Sequence, residues 1–207
     1  MKFDNFLYGV VRVFFKIIFF FYHRLSAKWM EPLPENRNVI IACNHCSFLD
    51  PLVVGAVFPR RLRYFSKEEL FHPAFFGRII KILGAVPVSR SSNAAAAGAL
   101  KGLLKFLKDG SDVLIFPEGG RSLDGKLLPL EGGVAVVASH SQAPILPAFI
   151  KGAYEAMPPG SAIIKPVKIT VTFGKLITFD SETYKEKDAR EKIMAALSDA
   201  FKALESA

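Results

Sequence analysis

The sequence predicts an α/β fold: a mixed, mostly parallel sheet flanked by helices. Three observations carry that prediction. Short, partly β-branched apolar runs, such as 39–43 and 112–116, have the length and composition of buried strands. Between them lie longer segments with helical start and stop signals. Strand and helix patterns then alternate along the chain, as they do where helices cover a parallel sheet. A chain of 207 residues has room for one domain with a sizeable core.

In order along the chain, residues 3–25 come first: F-D-N-F-L-Y-G-V-V-R-V-F-F-K-I-I-F-F-F-Y-H-R-L. On a helix, Asn5, Gly9, Arg12, Lys16 and His23 form one narrow polar stripe, and the rest is a broad apolar face. A spanning helix wants about 20 apolar residues with few charges, and Arg12 and Lys16 interrupt this one. No small-residue cleavage site follows, which argues against a signal peptide. The pattern predicts an N-terminal membrane-interface helix, with cations snorkelling to lipid phosphates. Residues 1–30 are expected as this hydrophobic, membrane-associated segment and 31–207 as the α/β domain.

Glu31-Pro32-Leu33-Pro34 reads as a linker. Val39–Cys43 is a strand that stops at Asn44-His45. Asp50 is expected at a helix N-cap with Pro51 at the first helical position, the helix running to Val57 and stopping near Pro59. Then come a strand over 61–65, a turn or short helix over 67–70, a helix over 73–83 stopped by Gly84, and a strand over 85–88 leading to Ser89-Arg90. An Ala- and Leu-rich helix over 93–108 is capped by Ser92 or Asn93. The strand at 112–116 leads into Pro117-Glu118-Gly119-Gly120-Arg121-Ser122. Residues 133–140 are helical in pattern. The run 145–150 contains Pro147 and so reads as an edge strand. A half-buried strand over 168–173 is expected to turn at Gly174-Lys175 into a hairpin with 176–179. The last helix runs from about 184 to 204, with Ile193, Leu197, Phe201 and Leu204 on one stripe.

Two loops carry chemistry. His45 lies at the carboxyl end of its strand, where ligands bind in open α/β sheets. An imidazole takes a proton near neutral pH, and a carboxylate on its other nitrogen fixes the tautomer and stabilises the imidazolium. On a regular helix a spacing of five would set His45 and Asp50 about 140° apart, so they meet only if a turn intervenes. Taken alone, so short a pattern more often describes a loop histidine and a capping aspartate. In the second loop, Gly119 and Gly120 let backbone N–H groups approach an anion, and the planar fork of Arg121 suits phosphate. Glu118 could hold that arginine or bond a substrate hydroxyl. Arg90 and Lys67 are further candidate phosphate ligands.

Hydrophobic residues make up 51% of the chain, with 19 Phe, and the formal net charge is +8. A basic surface favours anionic partners; no basic low-complexity tail argues for nucleic acid. Cys43 and Cys46 are the only cysteines, too few for a disulfide framework or a four-ligand zinc site. They read as small apolar fillers beside the histidine.

Asn44-His45 with Asp50, then Gly84-Ala85-Val86-Pro87-Val88-Ser89-Arg90, then Phe116-Pro117-Glu118-Gly119-Gly120-Arg121-Ser122, then Ile145-Leu146-Pro147, resemble the four ordered blocks of the glycerolipid acyltransferases. The resemblance covers roughly residues 36–155, and Lys67 with Leu70 matches a lysine-containing stretch between the first two blocks. It implies transfer of a fatty acyl group from acyl-CoA or acyl carrier protein to the sn-2 hydroxyl of 1-acylglycerol 3-phosphate (lysophosphatidic acid), giving phosphatidic acid in phospholipid biosynthesis. His45 would be the base and Asp50 its orienting partner. Arg90, Arg121 and Lys67 would hold the acceptor phosphate, with Glu118 and Gly119 helping to place it. No cofactor or metal is implied. The expected location is the cytoplasmic face of the cytoplasmic (inner) membrane. Gly120 stands where the family usually has Thr, and Val88-Ser89 differ from the usual residues before Arg90. Another lysolipid or glycerol 3-phosphate as acceptor, or hydrolysis of an acyl thioester, would draw on the same residues.

Overall fold

Successive residues of a strand face opposite sides of a sheet, and the run Ile40–Cys43 (β2) shows the consequence. Ile41 and Cys43 belong to one apolar cluster, Ile40 and Ala42 to another, and all four are fully buried. A strand this apolar on both faces needs helices on both sides. A computed structural model, which describes residues 2–88 and 93–207, supplies them.

The described strands are β1 (Ser26–Trp29), β2, β3 (Leu62–Lys67), β4 (Ala85–Val88), β5 (Asp112–Ile115), β6 (Ile145–Lys151) and β7 (Thr170–Phe173). They form one sheet in the order β1-β7-β6-β2-β5-β3-β4. Every neighbouring pair is parallel except β6 with β7. The helices are α1 (Lys2–His23), α2 (Asp50–Val57), α3 (Ala74–Ile82), α4 (Asn93–Lys108), α5 (Gly133–Ser141), the single turn α6 (Ala153–Ala156) and α7 (Ala189–Ser206). One face is covered by α2 and α3, with α1 packed across both; the other is covered by α4, α5 and α7. Ile193, Leu197, Phe201 and Leu204 are the buried stripe of α7.

The expected α/β architecture is borne out, with four differences. Ser26–Trp29 pairs with β7 as an edge strand, so the sheet begins inside the stretch assigned to the N-terminal segment. β6 is not an edge: it lies between β2 and β7 and is buried from Ile145 to Ile150. Pro147 is tolerated because its backbone faces the β7 side just beyond the ladder, where its carbonyl accepts the Gly174 N–H at 2.8 Å; no rung with β2 needs the missing N–H. Residues 174–177 form no hairpin. They continue along β6, with a lone antiparallel bridge from Ile177 to Ile145. Finally, Asp50 is the first residue of α2 and Leu49 occupies the cap position. The expected cap at Ser92 lies outside the described residues.

The polar stripe of α1 also has a different destination. Tyr8, Phe19 and His23 are buried against the domain. Arg12 donates to the Pro59 carbonyl at 3.2 Å, and Nδ1 of His23 bonds the Val167 carbonyl at 3.0 Å. Part of the stripe is therefore bonded to the domain, through Arg12 and His23, while Lys16 is exposed. The exposed side of α1 is largely apolar, presenting Val10, Val13, Phe14, Ile17, Phe20 and Phe21, with Lys16 also exposed. By length and composition, 6–23 could cross a membrane.

Candidate active site

β2 delivers the chain to the carboxyl edge of the sheet, and Asn44 pins it there. The Asn44 side chain accepts the Ile150 N–H at 2.7 Å and donates to the Ile150 carbonyl at 3.1 Å, an extra rung between the loop and β6. The loop then turns tightly around one carboxylate. Oδ2 of Asp50 accepts the Cys46 N–H and the Ser47 N–H, each at 2.7 Å, and bonds Nδ1 of His45 at 2.8 Å. Asp50 is fully buried and the His45 side chain is 17% exposed. The turn closes the gap that a spacing of five would leave on a helix. With Nδ1 engaged, Nε2 is the nitrogen left for a reactant. The imidazole lies against the Phe116 ring, 4.0 Å between centroids and 18° from parallel, which fixes the remaining rotation.

The second loop is bound to the first through the backbone. Glu118 accepts the His45 N–H on Oε1 and the Leu128 N–H on Oε2, both at 2.7 Å. The Ser122 N–H in turn donates to the His45 carbonyl at 2.8 Å. Burial pushes the Glu118 carboxyl pKa up, and those two N–H donors offset part of the effect. Glu118 was expected beside the acceptor; it is buried and joins the two loops instead. Gly119 also differs from expectation. Its N–H closes a turn onto the Phe116 carbonyl and is not turned toward a ligand. Its φ of +67 and the nearby Glu131 carboxylate explain the missing side chain.

His45, Lys67, Gly120 and Arg121 line one cavity of about 210 Å³. Its remaining wall is largely apolar, including Leu52 of α2, Tyr64 of β3, and Phe76 and Ile80 of α3. Lys67 is the exposed last residue of β3. The Arg121 guanidinium lies 3.6 Å from the centroid of the Phe48 ring, and its Nη1 is buried with no hydrogen-bond partner among the described residues. Burial lowers the Arg121 pKa and Asp50 opposes that shift; an arginine stays cationic throughout. Arg90 lies outside the described residues. Sequence reasoning missed Asn44, Phe48 and Phe116. The one local signal was a phenylalanine in or beside each polar motif, Phe48 between His45 and Asp50 and Phe116 just before Pro117, which has no meaning until the two loops are brought together.

The two thiols and the serine hydroxyls of the two loops do not compete with His45 for the chemistry. Burial raises the pKa of Cys43 and of Cys46, which keeps both protonated. The Ser47 hydroxyl donates to the Met157 carbonyl at 2.8 Å, and the Ser122 hydroxyl to Asp124 at 3.0 Å. The constellation is an oriented base beside a cation in an apolar cleft, suited to deprotonating a hydroxyl of an anionic, partly apolar reactant.

Comparison with known proteins identifies the group to which this constellation belongs. A family model described as Acyltransferase matches residues 24–151. The chain belongs to the acyltransferase family. The matched region contains both loops and all the candidate residues above. The chain is 30% identical over 178 residues to the 1-acyl-sn-glycerol-3-phosphate acyltransferase of Bacillus subtilis (strain 168), the match covering 85% of each chain. It is 30% identical over 167 residues to the 1-acyl-sn-glycerol-3-phosphate acyltransferase of Cocos nucifera, covering 80% of this chain and 54% of that one. The chain thus spans about half the length of that plant relative. The crystal structure of the 1-acyl-sn-glycerophosphate (LPA) acyltransferase, PlsC, from Thermotoga maritima superposes with a TM-score of 0.72 at 25% identity, covering 96% of this chain and 81% of that one. The resemblance read from the four sequence blocks is borne out, and the enzyme is an acyltransferase.

Proposed function

We propose that this acyltransferase moves a fatty acyl group from an acyl thioester to the sn-2 hydroxyl of 1-acylglycerol 3-phosphate, giving phosphatidic acid in phospholipid biosynthesis. The observation that carries the reading is His45 held at Nδ1 by buried Asp50, at the mouth of a cavity that also holds Arg121. Nε2 removes the proton of the acceptor hydroxyl as that oxygen attacks the thioester carbonyl. The Asp50 charge stabilises the imidazolium so formed. When the tetrahedral intermediate collapses, the C–S bond breaks, and the imidazolium returns its proton to the departing thiolate of acyl-CoA or acyl carrier protein. Arg121 and Lys67, with Arg90, hold the acceptor phosphate; Glu118 and Gly119 act indirectly, by fixing the loops. General-base catalysis supplies about 10²–10⁴ in rate, and positioning of two bound reactants supplies much of the remainder.

The same proposal places the enzyme on the cytoplasmic face of the cytoplasmic membrane. The exposed side of α1 is largely apolar, and its inner seam packs against α2 and α3. A helix tied along the domain in this way lies in one leaflet and does not cross. Exposed Arg24 and Lys28 follow it and add attraction to anionic lipid.

The test is an assay of purified enzyme with lysophosphatidic acid and a labelled acyl thioester, with and without the acceptor. Labelled phosphatidic acid formed only with acceptor supports the reading; label released to water as free fatty acid at the same rate without acceptor would establish a hydrolase.

A further inference from the structure

The loop between α6 and β7 carries an exposed apolar pair that the packing of the domain does not explain. Ile163 is 70% exposed and Ile164 41%. The pair is not adrift. The Tyr22 hydroxyl donates to the Ile164 carbonyl at 2.8 Å, the His23 ring bonds the Val167 carbonyl at 3.0 Å, and the Ile169 N–H donates to the His23 carbonyl at 3.0 Å. Three bonds thus fasten the loop to the carboxyl end of α1, where Phe20 and Phe21 are exposed. Farther back, the Lys165 N–H donates to the Ala156 carbonyl at 2.8 Å, which ties the loop to α6. Pro159, at its start, lines the cavity of His45. Lys165 and Lys168 are exposed just past the isoleucines. An apolar tip flanked by lysines, continuous with an apolar helix face, matches an anionic bilayer: hydrocarbon takes the isoleucines and headgroup phosphates take the lysines.

We propose that the loop over 158–168 is a second membrane-contacting element, which inserts Ile163 and Ile164 into an anionic phospholipid surface beside the end of α1. The inference rests on the reading of α1 as a membrane-surface helix. Two contacts fix an orientation that one helix alone leaves free to roll. Because the loop runs from α1 to the rim of the cavity, the second contact turns the cavity mouth toward the lipid. An acceptor already in the leaflet then reaches His45 without leaving the surface.

The experiment uses the full chain with Trp29→Phe, which removes the single tryptophan, and then either Ile163→Trp or Phe21→Trp. Each is mixed with phosphatidylglycerol/phosphatidylethanolamine vesicles carrying lipid brominated in the acyl chain. The expected result is a blue shift and quenching at both positions. In addition, the double variant Ile163→Ser/Ile164→Ser should bind these vesicles about tenfold or more weakly, from the apolar area withdrawn. Quenching at 21 without quenching at 163 overturns the inference and leaves the α1 reading standing. Quenching at neither overturns both, and quenching at 163 alone overturns the pairing with α1. A tryptophan at 163 that is already blue-shifted without lipid, in a chain sedimenting as a dimer, would assign the patch to a second copy and also overturn the inference.

Discussion

Asp50→Asn is the substitution that most directly weighs the His45–Asp50 pair. The amide is the same size and can place its oxygen where Oδ2 now accepts three N–H groups. Its NH2 then takes the place of Oδ1, which is buried with no hydrogen-bond partner among the described residues, so the three bonds are kept at a cost of about 1–3 kcal/mol for the unpaired donors. What is lost is the charge facing the imidazolium. Two unit charges about 4 Å apart at an effective dielectric near 20 interact by about 4 kcal/mol. If half of that is felt where the proton is half transferred, the barrier rises by about 2 kcal/mol, or about 30-fold; if all of it is felt, the loss approaches about 1,000-fold. The assay is steady-state transfer of labelled acyl group, with kcat and acceptor KM measured separately, beside a thermal melt. The expected result is a kcat lower by between about 30- and 1,000-fold, a KM little changed and a cooperative melt at a somewhat lower temperature than the parent's. A kcat within threefold of the parent in a folded variant would refute the reasoning. A rise in KM at unchanged kcat would do so too, because it would make Asp50 a binding residue.

Further consequences concern the neighbours of that pair. His45→Ala should abolish transfer while leaving the melting curve intact, and near-normal turnover would remove the base from the mechanism. Arg121→Ala should raise acceptor KM about tenfold or more from a lost charge-assisted bond, with Arg121→Lys restoring only part of it; a rise in donor KM instead would assign the arginine to the other reactant. Phe48→Leu, which removes the ring under Arg121, should raise acceptor KM several-fold from about 0.5–2 kcal/mol of lost cation–π attraction, with kcat unchanged. Glu118→Gln can accept only one of the two N–H groups now bonded to the carboxylate, and should lower stability by about 1–3 kcal/mol in denaturant titration.

The His45–Asp50 contact was legible because its information is local. One strand end, one turn and one helix start lie within a dozen residues, and the polar types at each place name their chemistry. The helices of the second face were legible for a related reason, since the stripe on α7 is written in its own sequence. Non-local pairing was not. Ser26–Trp29 looks like the tail of a hydrophobic segment until Thr170–Phe173 is laid beside it. Pro147 argued for an edge because sequence does not say where β7 stops. Glu118 and Gly119 illustrate the same limit at the site: their residue types suit a phosphate loop, but both have backbone partners chosen by the fold. Arg12 was read as facing lipid phosphates because a helical wheel gives the polar stripe without saying which surface it meets.

The double backbone tie on His45, through Glu118 and Ser122, makes a gauge of the two loops. On the proposed mechanism, the proton-accepting nitrogen and the guanidinium that would hold the phosphate sit on loops tied to each other, so the span between them is set before any lipid arrives. An acceptor held by its phosphate would lay its oxygens along that span, and the one that falls at Nε2 would be acylated. Positional selectivity then follows from measured length, with no group assigned to recognise the carbon itself. Adding one methylene between phosphate and hydroxyl would move the oxygen past the nitrogen, and the expected outcome is discrimination against it, as a calliper rejects the wrong gauge block.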